Sequence, residues 1–203
     1  MELVVYLLLI VTSMVGLSFI IERGWALRWR KVVPPEVEAA VESCQTPEDV
    51  PMLRRVCETH DSPISRLLLI SSNRLDWPKA EVVDALQTAA RREISRLERG
   101  LVVLEIVVGI APLLGLVGTI LGMMSAFSNI EAGLADAGKL AQGIAVILRA
   151  TMMGLLIAIP SLIFWSYYTK KVETIAVEME TVCDEFIRRQ YREEIAVKPL
   201  ATR

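Results

Sequence analysis

Residues 101–127 read LVVLEIVVGIAPLLGLVGTILGMMSAF and carry a single charge, on Glu105. A helix needs about 20 predominantly apolar residues to cross the hydrocarbon core of a bilayer, so this stretch is long enough to span one. Three small residues, Gly115, Gly118 and Gly122, follow each other at spacings of three and four. Such spacing is typical of membrane helices that approach a neighbouring helix closely. The stretch therefore predicts a spanning helix that packs against another helix.

Two further apolar blocks flank this stretch. Residues 3–21 contain no charge and end at Glu22-Arg23, and residues 143–168 contain only Arg149. A cleaved signal peptide is the alternative for the first block, but the block has no basic start and no small-residue cleavage site after it. We therefore expect an all-α membrane protein with three transmembrane helices, at 1–22, 101–127 and 143–168.

The distribution of Lys and Arg predicts the orientation. Of the 22 residues of these types, 13 lie in the loop 23–100 and 7 in the tail 169–203, whereas the loop 128–142 holds only Lys139. Lys and Arg concentrate on the cytoplasmic side of a membrane. We expect a periplasmic N-terminus, a cytoplasmic helical loop at 23–100, a short periplasmic loop at 128–142 and a cytoplasmic tail. The net charge of −2 gives no indication of a nucleic-acid partner. The expected partner of the apolar blocks is the lipid bilayer.

Spans two and three are predicted to continue beyond the membrane. Apolar residues recur every three or four positions from Lys79 into span two, and again from Val172 to about Tyr191. This periodicity indicates amphipathic helices, and Ser62-Pro63 and Trp77-Pro78 are typical helix starts. We expect a homo-oligomeric helical bundle, because a single chain would leave too much of each apolar stripe exposed.

Polar residues within span two predict a polar path through the membrane. Glu105, Pro112 and Thr119 are seven residues apart and so drift by only about 20° per step around the helix. A carboxylate within a membrane is costly unless it faces protein or water, which suggests that this face lines a polar path. The alternatives are that Glu105 reaches interfacial water and that Thr119 bonds to a carbonyl of its own helix.

In an antiparallel hairpin of spans two and three, Thr151 would lie at about the depth of Thr119. Two hydroxyls at one level could hold a water chain or receive a side chain from a partner. Arg149 is two residues from Thr151, about 200° around the helix, and so faces elsewhere. We expect it to snorkel to the interface or to form an ion pair with a neighbouring chain, rather than to line a pore.

The remaining reactive side chains give no pattern of a metal or redox site. Cys44, Cys57 and Cys183 form no Cys-x-x-Cys pair, and His60 is the only histidine. Such sites need clustered ligands, so we expect reduced cysteines buried at helix contacts, no metal and no cofactor.

The sequence resembles the MotA/TolQ/ExbB proton-channel family, specifically its TolQ/ExbB branch. The resemblance covers residues 61–175 and the end of span one. The residues that carry it are Glu22-Arg23 with Leu27, Ala111-Pro112-Leu113-Leu114-Gly115-Leu116-Val117-Gly118-Thr119 with Gly122-Met123 and Phe127, Gly143-Ile144, Ala150-Thr151, Gly154-Leu155 and Ala158-Ile159-Pro160.

The resemblance implies a pentamer in the bacterial inner membrane that encloses two copies of a single-span ExbD/TolR-like partner. A membrane aspartate of that partner would cycle between protonated and charged states, and Thr119 and Thr151 would line the chamber facing it. Proton flow would then drive work through a TonB- or TolA-like protein, and the chain would not be an enzyme. A stator for surface motility and a non-conducting membrane scaffold are the alternatives.

Other residues of this pattern have structural roles or depart from it. Glycines and prolines are expected to allow helix packing and kinks, at Pro112, Gly115, Gly118, Gly122, Gly154 and Pro160. Glu22, Arg23 and Arg149 are expected at the interface or in an ion pair between chains. Members of the family usually carry a glutamate five residues before the threonine of span three, and here that position is Val146.

Overall fold

The computed structural model describes residues 2–131 and 137–191, and within those ranges the regular elements are all helical. These described ranges form seven α-helices, and a short 3₁₀ turn, Pro47–Asp49, precedes the fourth. The α-helices are α1 (Glu2–Ala26), α2 (Trp29–Val32), α3 (Pro35–Ser43), α4 (Val50–Thr59), α5 (Pro63–Ser72), α6 (Lys79–Glu131) and α7 (Ala137–Gln190).

Three of these helices are long and apolar enough to cross a membrane. By length and composition they are the stretches Leu3–Ala26, Lys79–Phe127 and Ile147–Gln190. This finding agrees with the predicted all-α membrane protein with three spanning helices. Helices α6 and α7 continue without a break through Pro112 and Pro160. Proline is tolerated in membrane helices because neighbouring helices and side-chain hydroxyls can satisfy the freed backbone groups.

The helices extend further into the predicted loop 128–142 than expected. Helix α6 runs to Glu131 and α7 starts at Ala137, while 132–136 lie outside the described residues. The prediction ended span two at its last large apolar residue, Phe127. Helix α7 begins at Ala137 and includes Ala141, and alanine has the highest helix propensity.

Local sequence explains where the shorter helices begin. Ser62 caps α5 by accepting a hydrogen bond from the Ser65 backbone N–H at 3.2 Å, with Pro63 in the first turn. Before α4, the Asp49 carboxylate accepts from the Thr46 backbone N–H at 3.0 Å. Such caps satisfy N–H groups that have no partner inside the helix. The predicted helix starts after Ser62 and near Trp77-Pro78 are confirmed.

The chain divides into two compact units. We call Met1–Trp25 with Arg99–Thr169 the membrane unit, and Ala26–Glu98 with Lys170–Arg203 the head unit. Helices α6 and α7 contribute residues to both.

Large aliphatic and aromatic side chains form the core of the head unit. They are contributed by α3, α4 and α5, by the start of α6 and by the end of α7. The largest of the fully buried members are Leu53, Ile64, Leu67, Leu68, Ile175, Met179, Phe186 and Ile187. Burial of each such side chain stabilises the fold by about 1.5–3 kcal/mol.

Polar contacts in the head unit join the end of α7 to α3, and α5 to α6. The Arg189 guanidinium donates to the carbonyl oxygens of Val41 and Glu42, 3.2 and 3.3 Å away, at the end of α3. The buried Glu93 carboxylate accepts from Arg66 and Arg96, each at 2.7 Å. These bonds satisfy groups that would otherwise be costly to bury.

Candidate functional site

In the membrane unit, the backbones of α6 and α7 touch. A Cβ atom added to Gly154 would lie 2.6 Å from the Ala111 carbonyl oxygen and 3.3 Å from the Gly115 Cα. One added to Gly115 would lie 2.9 Å from both the Ala150 carbonyl oxygen and the Thr151 Cα. Since no side chain fits at either position, these two glycines allow the closest approach of the two helices.

Gly118 and Gly122 of span two also face neighbouring helices. A Cβ atom on Gly122 would lie 2.6 Å from the Ile147 Cγ1. One on Gly118 would lie 2.8 Å from the Ala150 Cβ and 3.1 Å from the Val5 Cγ1 in α1. The contacts run in opposite chain directions on α6 and α7, which makes the pair an antiparallel hairpin.

The two predicted pore threonines both donate to carbonyl groups of α6. The Thr151 hydroxyl lies across the helix interface, donating to the Gly115 carbonyl oxygen at 3.4 Å. The Thr119 hydroxyl donates to the Leu116 carbonyl oxygen of its own helix at 2.7 Å, which is the local bond that the sequence left open as the alternative to a pore role. Helix carbonyls point towards the residue four positions on, so the Gly115 oxygen points towards the level of Thr119. Both threonine side chains are half-buried.

Glu105 lies on the exposed face of α6, and Pro112, two turns further on, is half-buried. Among the described residues, the Glu105 carboxylate has no ion pair. A charged side chain at this position needs water, a lipid headgroup or another chain to solvate it.

Arg149 and the Glu22–Arg23 pair lie in different surroundings. Arg149 is exposed on α7, whereas Ala150, next to it, is 3% exposed. Arg23 forms an ion pair with Glu22 of the same chain at 2.7 Å. Arg23 also covers Gly100, where an added Cβ atom would lie 2.0 Å from its Nε. Val146 belongs to α7, but its side chain is not among the described ones.

The sequence did not predict the contacts of span one with α7. The Tyr168 hydroxyl donates to the Ile20 carbonyl oxygen at 2.9 Å. A Cβ atom on Gly24 would lie 3.0 Å from that hydroxyl, and one on Gly16 would lie 3.4 Å from the Ser161 hydroxyl oxygen. The signal available in the sequence was the eight-residue spacing of the two glycines, which places them on one side of α1.

The head unit holds the three cysteines, all of them buried free thiols. Burial raises the pKa of Cys57 to about 11 and that of Cys183 to about 12, because the thiolate loses its hydration. Burial also raises the pKa of Cys44. Within residues 2–131 and 137–191, no group of three or more His, Cys, Asp or Glu side chains is placed to hold a metal ion.

Comparison with known proteins places these features in context. Residues 60–181 match the family model described as the MotA/TolQ/ExbB proton channel family. The chain is 33% identical over 166 residues to an ExbB-like biopolymer transport protein of Synechocystis, covering 76% of this chain and 63% of the relative.

Two further relatives carry the names ExbB and TolQ. The chain is 33% identical to the biopolymer transport protein ExbB of Aquifex aeolicus, covering 51% of this chain and 70% of the relative. It is 34% identical to the Tol-Pal system protein TolQ of Haemophilus influenzae, covering 61% of this chain and 56% of the relative. The chain thus spans between about half and three-quarters of the length of these curated relatives.

Proposed function

This chain belongs to the MotA/TolQ/ExbB proton channel family, in its TolQ/ExbB branch, and on that premise we propose that it is the proton-channel and motor subunit of an inner-membrane energy-transduction complex. The complex couples proton flow to mechanical work on periplasmic or outer-membrane partners, as in a TonB- or Tol-type system. The chain itself is a multi-pass membrane protein with three spanning helices.

The observation that carries the proposal is the bond of the Thr151 hydroxyl across the helix interface to the Gly115 carbonyl of α6, about one helical turn before Thr119, in otherwise apolar helices. A hydroxyl donates one hydrogen bond and accepts others. Each threonine can therefore accept from a water or an acid while still donating to its carbonyl. Two such groups at one level support a relay for protons or a docking point for a protonated carboxyl group.

The acid that exchanges the proton at this level has to come from another chain. Between residues 3 and 21, and within spans two and three, Glu105 is the only carboxylate. It is 14 residues from Thr119, about 21 Å along a helix. This distance supports a single-span ExbD/TolR-like partner with a membrane aspartate, with Glu105 near the cytoplasmic mouth of the same path.

Charge changes on such an aspartate would drive the motor. A membrane potential supplies about 2.3 kcal/mol per elementary charge per 100 mV. A carboxylate within the membrane avoids its desolvation cost by protonating or by meeting hydroxyls and water. Each protonation therefore changes which threonines the partner prefers, and this preference can be converted into relative rotation.

Exposed charge supports an oligomer as the working form. Glu105 and Arg149 are both exposed on the single chain although both lie in predicted spans. A homopentamer around two partner copies would cover Glu105, and Arg149 would reach the interface or a carboxylate of a neighbouring chain. The proposed orientation has a periplasmic N-terminus and a cytoplasmic head unit. Val146 removes the usual glutamate of span three, so the partner aspartate carries proton exchange alone.

Valine substitutions test the proposal because valine keeps the shape of threonine and removes the hydroxyl. In proteoliposomes containing the chain and its co-purified partner, Thr119→Val with Thr151→Val should lower dye-reported proton uptake by about 10- to 100-fold. This range corresponds to the loss of about 1.5–3 kcal/mol of hydrogen bonding to a charged group. Assembly, measured by size-exclusion chromatography with light scattering, should be unchanged.

The matched control is Thr12→Val in span one. The Thr12 hydroxyl also donates to a carbonyl of its own helix, that of Leu8, at 2.8 Å, but it lies far along the chain from the hairpin. This variant should conduct like the wild type. If the double valine variant assembles and conducts normally, the chain is a scaffold and not the channel.

A further inference from the structure

Three cations lie close together after α1. Arg28, Arg30 and Lys31 are all exposed, and none of them has an ion pair among the described residues. No acidic residue occurs between Glu22, which already pairs with Arg23, and Glu36. The segment therefore carries three positive charges without local compensation.

Buried residues hold this segment in place. Leu27, before the cations, is 0% exposed, and Val32, after them, is 1% exposed. Trp29, among the cations, remains 39% exposed. The cations and the indole thus project from an ordered part of the head unit, which reduces the entropy lost when a ligand binds.

Chain length places the segment at the membrane surface. The candidate span Leu3–Ala26 ends two residues before Arg28 and five before Lys31. At no more than about 3.6 Å per residue, their Cα atoms lie within about 7 and 18 Å of that end. Tryptophan is enriched at membrane interfaces, and Trp25, at the end of the span, is 70% exposed.

We propose that Arg28, Arg30 and Lys31, together with Trp29, form a binding surface for the phosphate headgroups of anionic phospholipids of the phosphatidylglycerol class. Arg and Lys both donate hydrogen bonds to phosphate, and the arginine fork can bind two of its oxygens. The indole of Trp29 contributes an apolar body that can lie among the headgroups. At the corresponding end of span three, by contrast, Lys170 is already paired with Glu173 at 2.9 Å. The proposal does not depend on proton conduction.

Native mass spectrometry of the purified full-length protein tests this surface. The protein is incubated with equal amounts of dioleoylphosphatidylglycerol and dioleoylphosphatidylcholine, and the ratio of the retained lipids is measured. A basic residue near a membrane surface contributes about 1 kcal/mol towards binding of anionic lipid, which is about fivefold. The wild type should prefer phosphatidylglycerol, and R28Q/R30Q/K31Q should lower the ratio by at least about tenfold.

Two variants separate a specific surface from general charge. R55Q/R91Q/R92Q removes the same charge from exposed positions elsewhere in the head unit and should leave the ratio within about twofold. R28K/R30K keeps the charge and should retain most of the preference. Inorganic phosphate at 10 mM should compete weakly, because the Debye length at that concentration is about 30 Å and charges are screened little.

Three results would overturn the proposal. The first is a wild type without preference for phosphatidylglycerol. The second is equal losses in the two glutamine variants. The third is a lipid ratio that stays constant in R28Q/R30Q/K31Q while this variant loses binding of polyglutamate, measured in the same way. That result would mean that the surface binds an acidic protein segment and not lipid.

Discussion

The membrane unit and the head unit pack their helices by opposite means. In the membrane unit, the contacts between α6 and α7 are made at glycine and alanine, and a Cβ atom at Gly154 would meet backbone at 2.6 Å. In the head unit, the contacts are made by side chains such as Phe186 and Leu68, both 0% exposed. The same two helices, α6 and α7, use one mode in part of their length and the other mode in the rest.

The difference follows from the solvent that each unit is built for. In water, burial of apolar surface is itself the driving force, so large side chains in the core stabilise the fold most. Between lipid and a helix interface there is little difference in polarity. Association there depends on close van der Waals contact and hydrogen bonds, which small residues permit. Many large apolar side chains of the membrane unit accordingly lie on its exposed surface, as Leu113, Leu116 and Ile163 do, while Leu9 and Leu104 are buried between its helices.

Truncation of a large core residue of the head unit should have the largest effect. Phe186→Ala is expected to lower the stability of that unit by about 3–5 kcal/mol, the usual cost of removing a buried phenylalanine. Hydrogen–deuterium exchange should show lost protection in α3, α4 and α5. Leu113→Ala, an exposed position in the membrane unit, should change protection little. Equal losses in both variants would contradict the comparison.

Enlargement of a small residue should have the next largest effect, and only in the membrane unit. Gly154→Ala places a Cβ atom 2.6 Å from the Ala111 carbonyl oxygen, so α6 and α7 must move apart. We expect a destabilisation of about 1–3 kcal/mol, read as a lower thermal midpoint in detergent. Gly109→Ala is the matched control, because nothing lies within 4 Å of its added Cβ. It should be neutral or slightly stabilising; equal midpoints for the two variants would show that the close approach is unimportant.

Near pH 9, where the unfolded thiols begin to ionise, the effect of pH through the buried thiols should be the smallest of these effects on stability. The pKa of Cys183 is raised from an ordinary 9.0 to about 12 and that of Cys57 to about 11. The unfolded chain therefore loses these protons first as pH rises, and stability should be unaffected below pH 9 and fall between pH 9 and 12. Maleimide labelling at pH 8 should be slow until the protein unfolds.

An exposed cysteine on the same helix provides the control for labelling. Val177 is 63% exposed, so Val177→Cys should react at the rate of a free thiol. Rapid labelling of the wild type would mean that the head unit opens under native conditions and is less tightly packed than its core indicates.

Sequence reasoning anticipated the features that depend on local periodicity. The three apolar blocks were visible as runs of apolar residues. The continuation of spans two and three as single long helices, and the glycines of span two, were visible as spacings of three, four or seven residues. It was less successful at helix ends in the loop 128–142, where α6 continues past Phe127 to Glu131 and α7 already begins at Ala137. The roles of Thr119, Thr151 and Glu105 remain predictions that the proposed experiments test.

What the sequence determined by itself was the number of spans, the family and the positions of Thr119 and Thr151 within the spans. Hydropathy and motif spacing are local properties of a chain, which is why the sequence is sufficient for them. Only the tertiary structure decided which groups the polar side chains of the spans contact. The bond from Tyr168 to Ile20 joins residues 148 positions apart, and the Thr151 hydroxyl reaches the Gly115 carbonyl from 36 positions away. Such contacts depend on the register in which α1, α6 and α7 pack. That register is set by backbone approach at Gly115 and Gly154 and by side-chain contacts at Gly118, which no single-helix periodicity specifies.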